Sequence, residues 1–242
     1  MRDLIWQVPH CVVLTVFAGG DVDWSHLGAW DEWCGFTAGA NVVAAGIAED
    51  DQALAALGAS GVRLSFLDEQ YREPGTTPSI EALSREILNA IGEIGAETIL
   101  FPLGLGHDDH MLTAAGAAHA ARTASHLNWF AYQDLPYGYE EFSGTDEALA
   151  ALADLTPTPV ELSAVSDLVR KNAALDLYRS QVTALEDDRR ALALQAERYW
   201  ALTTSPKLVA PDRRQGQGTW GSPRVGCPER DSNPHALADN GF

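Results

Sequence analysis

The chain has 242 residues, with 34 acidic against 16 basic and a formal net charge of -18 at pH 7. So acidic a surface repels phosphate, which argues against nucleic-acid backbones and anionic membranes as partners. The three cysteines, Cys11, Cys34 and Cys227, include no CxxC pair, which argues against a disulfide framework or a cysteine zinc site and fits a reducing cytoplasm.

No apolar run approaches the 18 or so residues of a membrane-spanning helix, and the length suits one large domain or a domain with an appendage. In chain order, "CVVLTVFA" at 11–18 reads as a buried parallel-type strand. Residues 20–37 read as a long loop carrying Trp24, Trp30 and Trp33. A helix is predicted over 38–57, ended by Gly58, then a strand over 62–68. An amphipathic helix over 79–95 follows, with Ser79 as its N-cap. A strand over 97–104, a small-residue helix over about 109–125 and a strand over 128–134 come next, and 158–163 suits one more strand. From 164 the pattern is helical, through "AVSDLVRKNAALDLYRSQVTAL" and "DDRRALALQAERYW". Residues 207–242 are rich in glycine, proline and arginine and read as an unstructured tail, of the kind produced by translation past a natural stop. The domain expected is therefore 1–206.

Alternating strands and helices predict an α/β fold of Rossmann-like, three-layer type with a mostly parallel sheet. In such sheets ligands lie beyond the carboxyl ends of the strands. "HDDH" at 107–110 stands at such an address, directly after the 97–104 strand. Imidazole and carboxylate are ligands for zinc-like metals, and a second histidine nearby can stabilise a developing oxyanion. Aspartates at a helix start are equally good capping chemistry. By spacing alone, capping and a metal or catalytic site both stand open.

The stretch "PLGLGHDDHMLTAAGAA" at 102–118 resembles the second motif of the PIG-L / LmbE-like zinc-dependent deacetylases. "VVLTVFAG", "AEDDQALAALGA" at 48–59, "WFAYQDLPYGYE" at 129–140 and "KNAALDLYRSQVTAL" at 171–185 resemble further family segments in the same order, over roughly residues 11–202. The resemblance implies hydrolysis of an acetyl amide on an N-acetylglucosamine-type sugar or related glycoconjugate, with Zn2+ as cofactor. It implies His110 as a zinc ligand, His107 as the imidazolium facing the oxyanion, and Asp109 as the group that orients His107 or its neighbourhood. Asp134 and Tyr137 are implied near the substrate. The family's His-Pro-Asp-Asp-Glu-type first motif, which supplies two zinc ligands and the general base, has no counterpart before "VVLTVFAG". The expectation is a chain truncated at its N-terminus, lacking the first strand and helix. It is then either a zinc hydrolase completed elsewhere or an inactive, sugar-binding remnant. A small-molecule glycoconjugate is the partner implied, and a homo-oligomer is compatible with it.

Other motifs are weak. Gly19 and Gly20 follow a strand but lack GxGxxG or Lys-Ser/Thr, and GxSxG is absent. Asp21, Asp23 and His26 read as a solvated loop, and His119 and His126 as ordinary histidines. Trp24, Trp30 and Trp33 read as a small satellite core, with a sugar-stacking platform as the alternative.

Overall fold

In a computed structural model the described residues are 10–137, 144–161, 168–185 and 187–203. The chain divides into units Met1–Pro206 and Lys207–Phe242. The second unit, with the tail read from its composition, lies outside the described residues. Within the first, β1 (Val12–Thr15) is followed by α1 (Ala29–Trp33), α2 (Val42–Leu57) and β2 (Ser60–Arg63). Then come α3 (Ile80–Ile94), β3 (Thr98–Pro102), α4 (Asp108–Thr123) and β4 (Asn128–Tyr132). The chain continues through α5 (Thr145–Ala151), β5 (Thr158–Val160), α6 (Leu168–Leu175), α7 (Arg179–Ala184), α8 (Asp187–Ala193) and β6 (Tyr199–Leu202).

The α/β architecture read from the sequence holds. β1 pairs with β2 in parallel, Val12 opposite Ser60, and β3 pairs with β4 in parallel, Thr98 opposite Asn128. Each parallel pair is joined through an intervening helix, as parallel strands require. β6 then runs antiparallel between β4 and β5, giving the order β3-β4-β6-β5.

The main core lies between α3, α4 and the β3–β4 sheet, and a second, small cluster joins Leu57 of α2 to Ala174 of α6. Leu83, Ile87 and Ile91 of α3 meet Ala117, Ala120 and Ala121 of α4 over Phe101 and Trp129 of the sheet. The small residues of α4 are what let α3 approach: a side chain at Gly116 would meet Leu83 Cβ at 2.8 Å. The Trp129 indole, buried here, donates to the Ala124 carbonyl at 3.0 Å, so its polar edge is satisfied.

Four boundaries differ from expectation. α2 starts at Val42 because the Asn41 side chain accepts from Ala44 N at 2.9 Å. The 20–37 loop contains α1. The strand expected over 62–68 is regular only over Ser60–Arg63. The second late helix stops at Ala193, and Tyr199–Leu202, read as its continuation, is the strand β6. Its spacing fits a helix, but ladder bonds to two neighbouring strands decide the matter. The late segment is docked by α2: Glu49 accepts from Ser180 N at 3.0 Å and Oγ at 2.7 Å, and Tyr178 donates to Asp50 at 2.6 Å.

Candidate functional site

The turn after β3 explains the position of the histidines. Leu103 and Leu105 are buried, and between them the chain reverses twice: Gly104 and Gly106 have φ of 85° and 70°. Such values favour glycine. A side chain at Gly104 would meet the Met111 Cα at 2.9 Å, and one at Gly106 would meet the Tyr137 ring at 2.4 Å. The turn thus lies flat against the start of α4 and delivers His107 as its N-cap.

His110 sits in the first turn of α4. Its Nδ1 is 3.0 Å from Asp134 Oδ1. The second oxygen of Asp134 accepts from Gly104 N at 3.0 Å, and the residue is only 3% exposed. A carboxylate only accepts, so His110 Nδ1 carries the proton and Nε2 is left as a lone-pair donor. A buried carboxylate behind a histidine is the support that metal-ligating imidazoles receive. Asp134, expected near the substrate, lies behind His110. Tyr137 does border the site, its ring edge-on to His110 at 5.4 Å.

His107 lies beside His110, ring centroids 5.5 Å apart. Its Nδ1 accepts from the Asp109 amide at 3.2 Å. An amide N–H can only donate, so in this geometry the ring carries its proton on Nε2, which points toward Glu69 Oε2 at 4.0 Å. The expected imidazolium would have to give up this cap. The expected orienting contact also takes another form. The Asp109 carboxylate does not touch His107: it accepts from Arg72 Nη1 at 2.6 Å and from Glu69 N at 2.9 Å. The Asp109 amide meets His107 directly, and its carboxylate orders the neighbourhood through Arg72 and Glu69.

Arg72, Glu69 and Asp68 are site neighbours that the sequence reading passed over. They lie in "LDEQYRE", which follows the β2 crossover. Arg72 also donates to Leu67 O at 3.0 Å and stacks over Phe17 at 5.3 Å. One arginine among three acidic residues of a loop, Asp68, Glu69 and Glu73, was the available signal. Burial holds the Asp68 carboxyl above its usual range, against an opposing bond from Gln70 N. Tyr71 donates to both oxygens of Asp31, at 3.0 and 3.1 Å. Burial, then Asp31, raises the Tyr71 hydroxyl well above its ordinary value. Burial, with Asp31 and Glu49, pushes the Cys34 thiol up to about 11.

Three other histidines make contacts outside this cluster. His26 bonds Ser25 Oγ at 2.9 Å in an exposed loop, and His119 bonds Ser84 Oγ at 3.1 Å. His126 lines a cavity of about 350 Å³ beside Trp129 and Leu155. Of the tryptophans expected in a satellite core, Trp24 is half-buried and packs edge-on to Tyr71 with centroids 5.4 Å apart, whereas Trp33 is 74% exposed and Trp30 38%.

A zinc ion held for catalysis takes three protein ligands and an open position. His110 has the right free nitrogen and the right support. Among the described residues, however, no group of three His, Cys, Asp or Glu side chains converges to hold a metal. The donor set described here does not fit the zinc site that the sequence resemblance implies.

No protein-family model matches the sequence, and no curated protein does either. Solved structures do match. The A40926 pseudoaglycone deacetylase Dbv21 is 22% identical, covers 83% of this chain and 89% of its own, and superposes with a TM-score of 0.63. A teicoplanin deacetylase complexed with teicoplanin is 20% identical over 81% of this chain and 87% of its own, TM-score 0.61. The zinc-inhibited form of teicoplanin deacetylase Orf2 is 18% identical over 81% and 88%, TM-score 0.59. The fold is the fold of these deacetylases.

Proposed function

We propose that this protein acts on the amide of an N-acetylated amino sugar within a glycoconjugate, as a deacetylase. The single observation that carries the proposal is the His107–His110 pair, with His110 backed by the buried Asp134, in the turn after β3. In this role His107 Nε2–H donates to the carbonyl oxygen as negative charge develops on it. Asp134 fixes the His110 ring, and the Asp109–Arg72 pair fixes the start of α4. The Tyr137 ring stands edge-on to His110 and borders the site. The fold neighbours, an A40926 pseudoaglycone deacetylase and a deacetylase complexed with teicoplanin, support the reading as a deacetylase. A cytoplasmic setting and a small-molecule partner belong to the proposal, and no helix among the described residues is long and apolar enough to cross a membrane.

The donor set favours a second reading: a site that binds the acylated sugar without cleaving it. One imidazole does not make a catalytic zinc site.

Acetate release from methyl N-acetyl-β-glucosaminide, measured at rising zinc concentration beside calorimetric binding, separates the two. Release abolished in His110→Ala supports hydrolysis. Saturable binding with no release at any zinc level supports the binding site. Neither binding nor release sinks both.

A further inference from the structure

Carboxylates surround the His107 end of the candidate site, and the guanidinium among them is already committed. Arg72 donates through Nη1 to Asp109 at 2.6 Å and to Leu67 O at 3.0 Å. Its side chain is only 10% exposed, so little of that charge faces a ligand. Asp134 is engaged as well, between His110 and Gly104 N. Glu69 is different. Among the described residues its only ion-pair neighbour is the His107 ring, with Oε2 4.0 Å from Nε2. That separation is too long for a hydrogen bond. The Nε2–H therefore stays available to an acyl oxygen while a carboxylate stands beside it. The Glu69 side chain is 49% exposed, so a ligand can reach it. Asp68 adds to the same field. Burial raises its carboxyl, Gln70 N lowers it, and the charges of Asp109, His107 and Arg72 all act on it.

The backbone that carries Glu69 is fixed. Residues Glu69–Tyr71 form one 3-10 turn, which the Asp68 side chain caps by accepting from Gln70 N at 3.1 Å. The Glu69 amide donates to Asp109 Oδ2 at 2.9 Å, and Tyr71 at the far end of the turn donates to Asp31. The carboxylate thus projects from a turn tied to α4, not from a free loop. An acyl group whose oxygen takes the His107 Nε2–H comes close to Glu69 Oε2. A methyl group there meets no opposing charge. A carboxylate on the acyl chain meets a like charge, with Arg72 already held by Asp109, and such repulsion weakens binding by about tenfold in a partly exposed site.

We infer that Glu69 is a specificity-determining residue, which admits neutral acyl groups at His107 and excludes acyl groups that carry a carboxylate. This rests on the amide-site proposal above, which places the acyl oxygen at His107 Nε2.

The test measures binding of three methyl β-glucosaminides to the full chain by calorimetry, in EDTA so that no metal bridges a carboxylate. They are the N-acetyl compound and an N-succinyl and N-succinamoyl pair, the pair differing only as carboxylate against carboxamide. Wild type is expected to bind the carboxamide about tenfold more tightly than the carboxylate at low salt, and by a smaller factor at about 0.5 M salt, because a half-exposed charge is screened. Glu69→Gln keeps the shape and the backbone amide but not the charge. It is expected to bring the pair within about threefold of each other by strengthening the carboxylate, with little salt dependence left. Equal binding of the pair by wild type overturns the assignment. So does a wild-type preference that Glu69→Gln leaves intact, which would place the repulsion in the general acidity of the chain. A parallel loss of all three ligands in Glu69→Gln also overturns it, because Glu69 would then serve only to hold the turn. Failure of both pair members to bind wild type, while the N-acetyl compound binds, shows selection by size and overturns it too. The N-acetyl compound reports separately on the amide site. If wild type does not bind it, the amide-site proposal falls and the charge filter falls with it.

Discussion

His110 and Asp134 are joined by a 3.0 Å hydrogen bond that crosses from the first turn of α4 to the carboxyl end of β4. The same carboxylate takes the Gly104 amide from the turn after β3. Three chain segments thus converge on one buried acceptor, and the direction of the His110 ring is a property of the fold rather than of the helix alone.

Asp134→Ala leaves two donors facing a buried space without an acceptor. The expected loss is about 2–3 kcal/mol of stability, from the desolvation of unpaired polar groups. Asp134→Asn retains one acceptor and aims an amide N–H at the other donor, so its loss is smaller, about 1–2 kcal/mol. Urea denaturation at pH 7 measures both. An asparagine variant as stable as wild type would mean that Asp134 serves packing and not acceptance.

Arg72 and Asp109 form a nearly buried ion pair at 2.6 Å, with side chains 10% and 6% exposed. Arg72→Ala abandons the carboxylate in that environment and is expected to cost about 3–5 kcal/mol. Removing both charges, in Arg72→Ala with Asp109→Ala, costs less than the two single changes added together, because no orphan charge is left. A double-mutant cycle in urea reads the difference. Additive losses would show that the pair is not coupled.

Much of the scaffold is legible in the sequence because local chemistry and tertiary demand agree there. The apolar run before Gly19, the Ser79 cap, realised as a bond to Ala82 N at 3.1 Å, and the alanine face of α4 all read correctly. The HDDH address after β3 was legible for the same reason: a buried strand ending in Leu-Gly-Leu-Gly dictates a turn into a helix. What escaped the sequence depends on partners far along the chain. Asp109 and Arg72 are 37 positions apart, and nothing local says which carboxylate the arginine takes. Asp134 looks like a substrate contact by position, yet a distant histidine and a glycine amide draw it inward. Tyr199–Leu202 has helical spacing and becomes a strand only because β4 and β5 both offer it an edge.

Asp68 gives the pH dependence a definite sign. Its folded carboxyl is held above the ordinary value of 3.8, chiefly by burial. The folded state therefore binds this proton more tightly than the unfolded chain. The associated stabilisation is fully present below the unfolded value and is lost as pH rises through the raised folded one. At neutral pH the charged Asp68 is a burden. Asp68→Asn keeps an acceptor for Gln70 N, bonded at 3.1 Å in the native protein, and asparagine caps as well as aspartate. The variant is expected to be more stable than wild type at pH 7, with the advantage shrinking toward pH 3. Thermal unfolding across that range checks it, and an advantage that grows on acidification would reverse the sign.

The two glycines of the turn after β3 are expected to fail in different ways. Both have positive φ, so alanine at either strains the backbone by about 1–2 kcal/mol. At Gly104 the new methyl also meets Met111 Cα and Ala114 Cβ, each at 2.9 Å. Those atoms belong to α4 and cannot yield without moving the helix. Gly104→Ala is therefore expected to lose about 3 kcal/mol or more in urea denaturation, once the clash is added to the strain. At Gly106 the methyl meets the Tyr137 side chain from its ring down to its Cβ, the last at 2.9 Å. Rotating the ring does not clear the Cβ, so the backbone at Tyr137 must give as well, and Gly106→Ala loses more than the backbone strain alone. The yielding segment is the turn after β4 rather than α4, and Tyr137 must leave its edge-on seat against His110. Histidine ring-proton shifts, which report ring currents from a neighbouring aromatic, should move for His110 in Gly106→Ala. An unmoved His110 signal in a well-folded Gly106→Ala would mean that Tyr137 does not wall the site in solution.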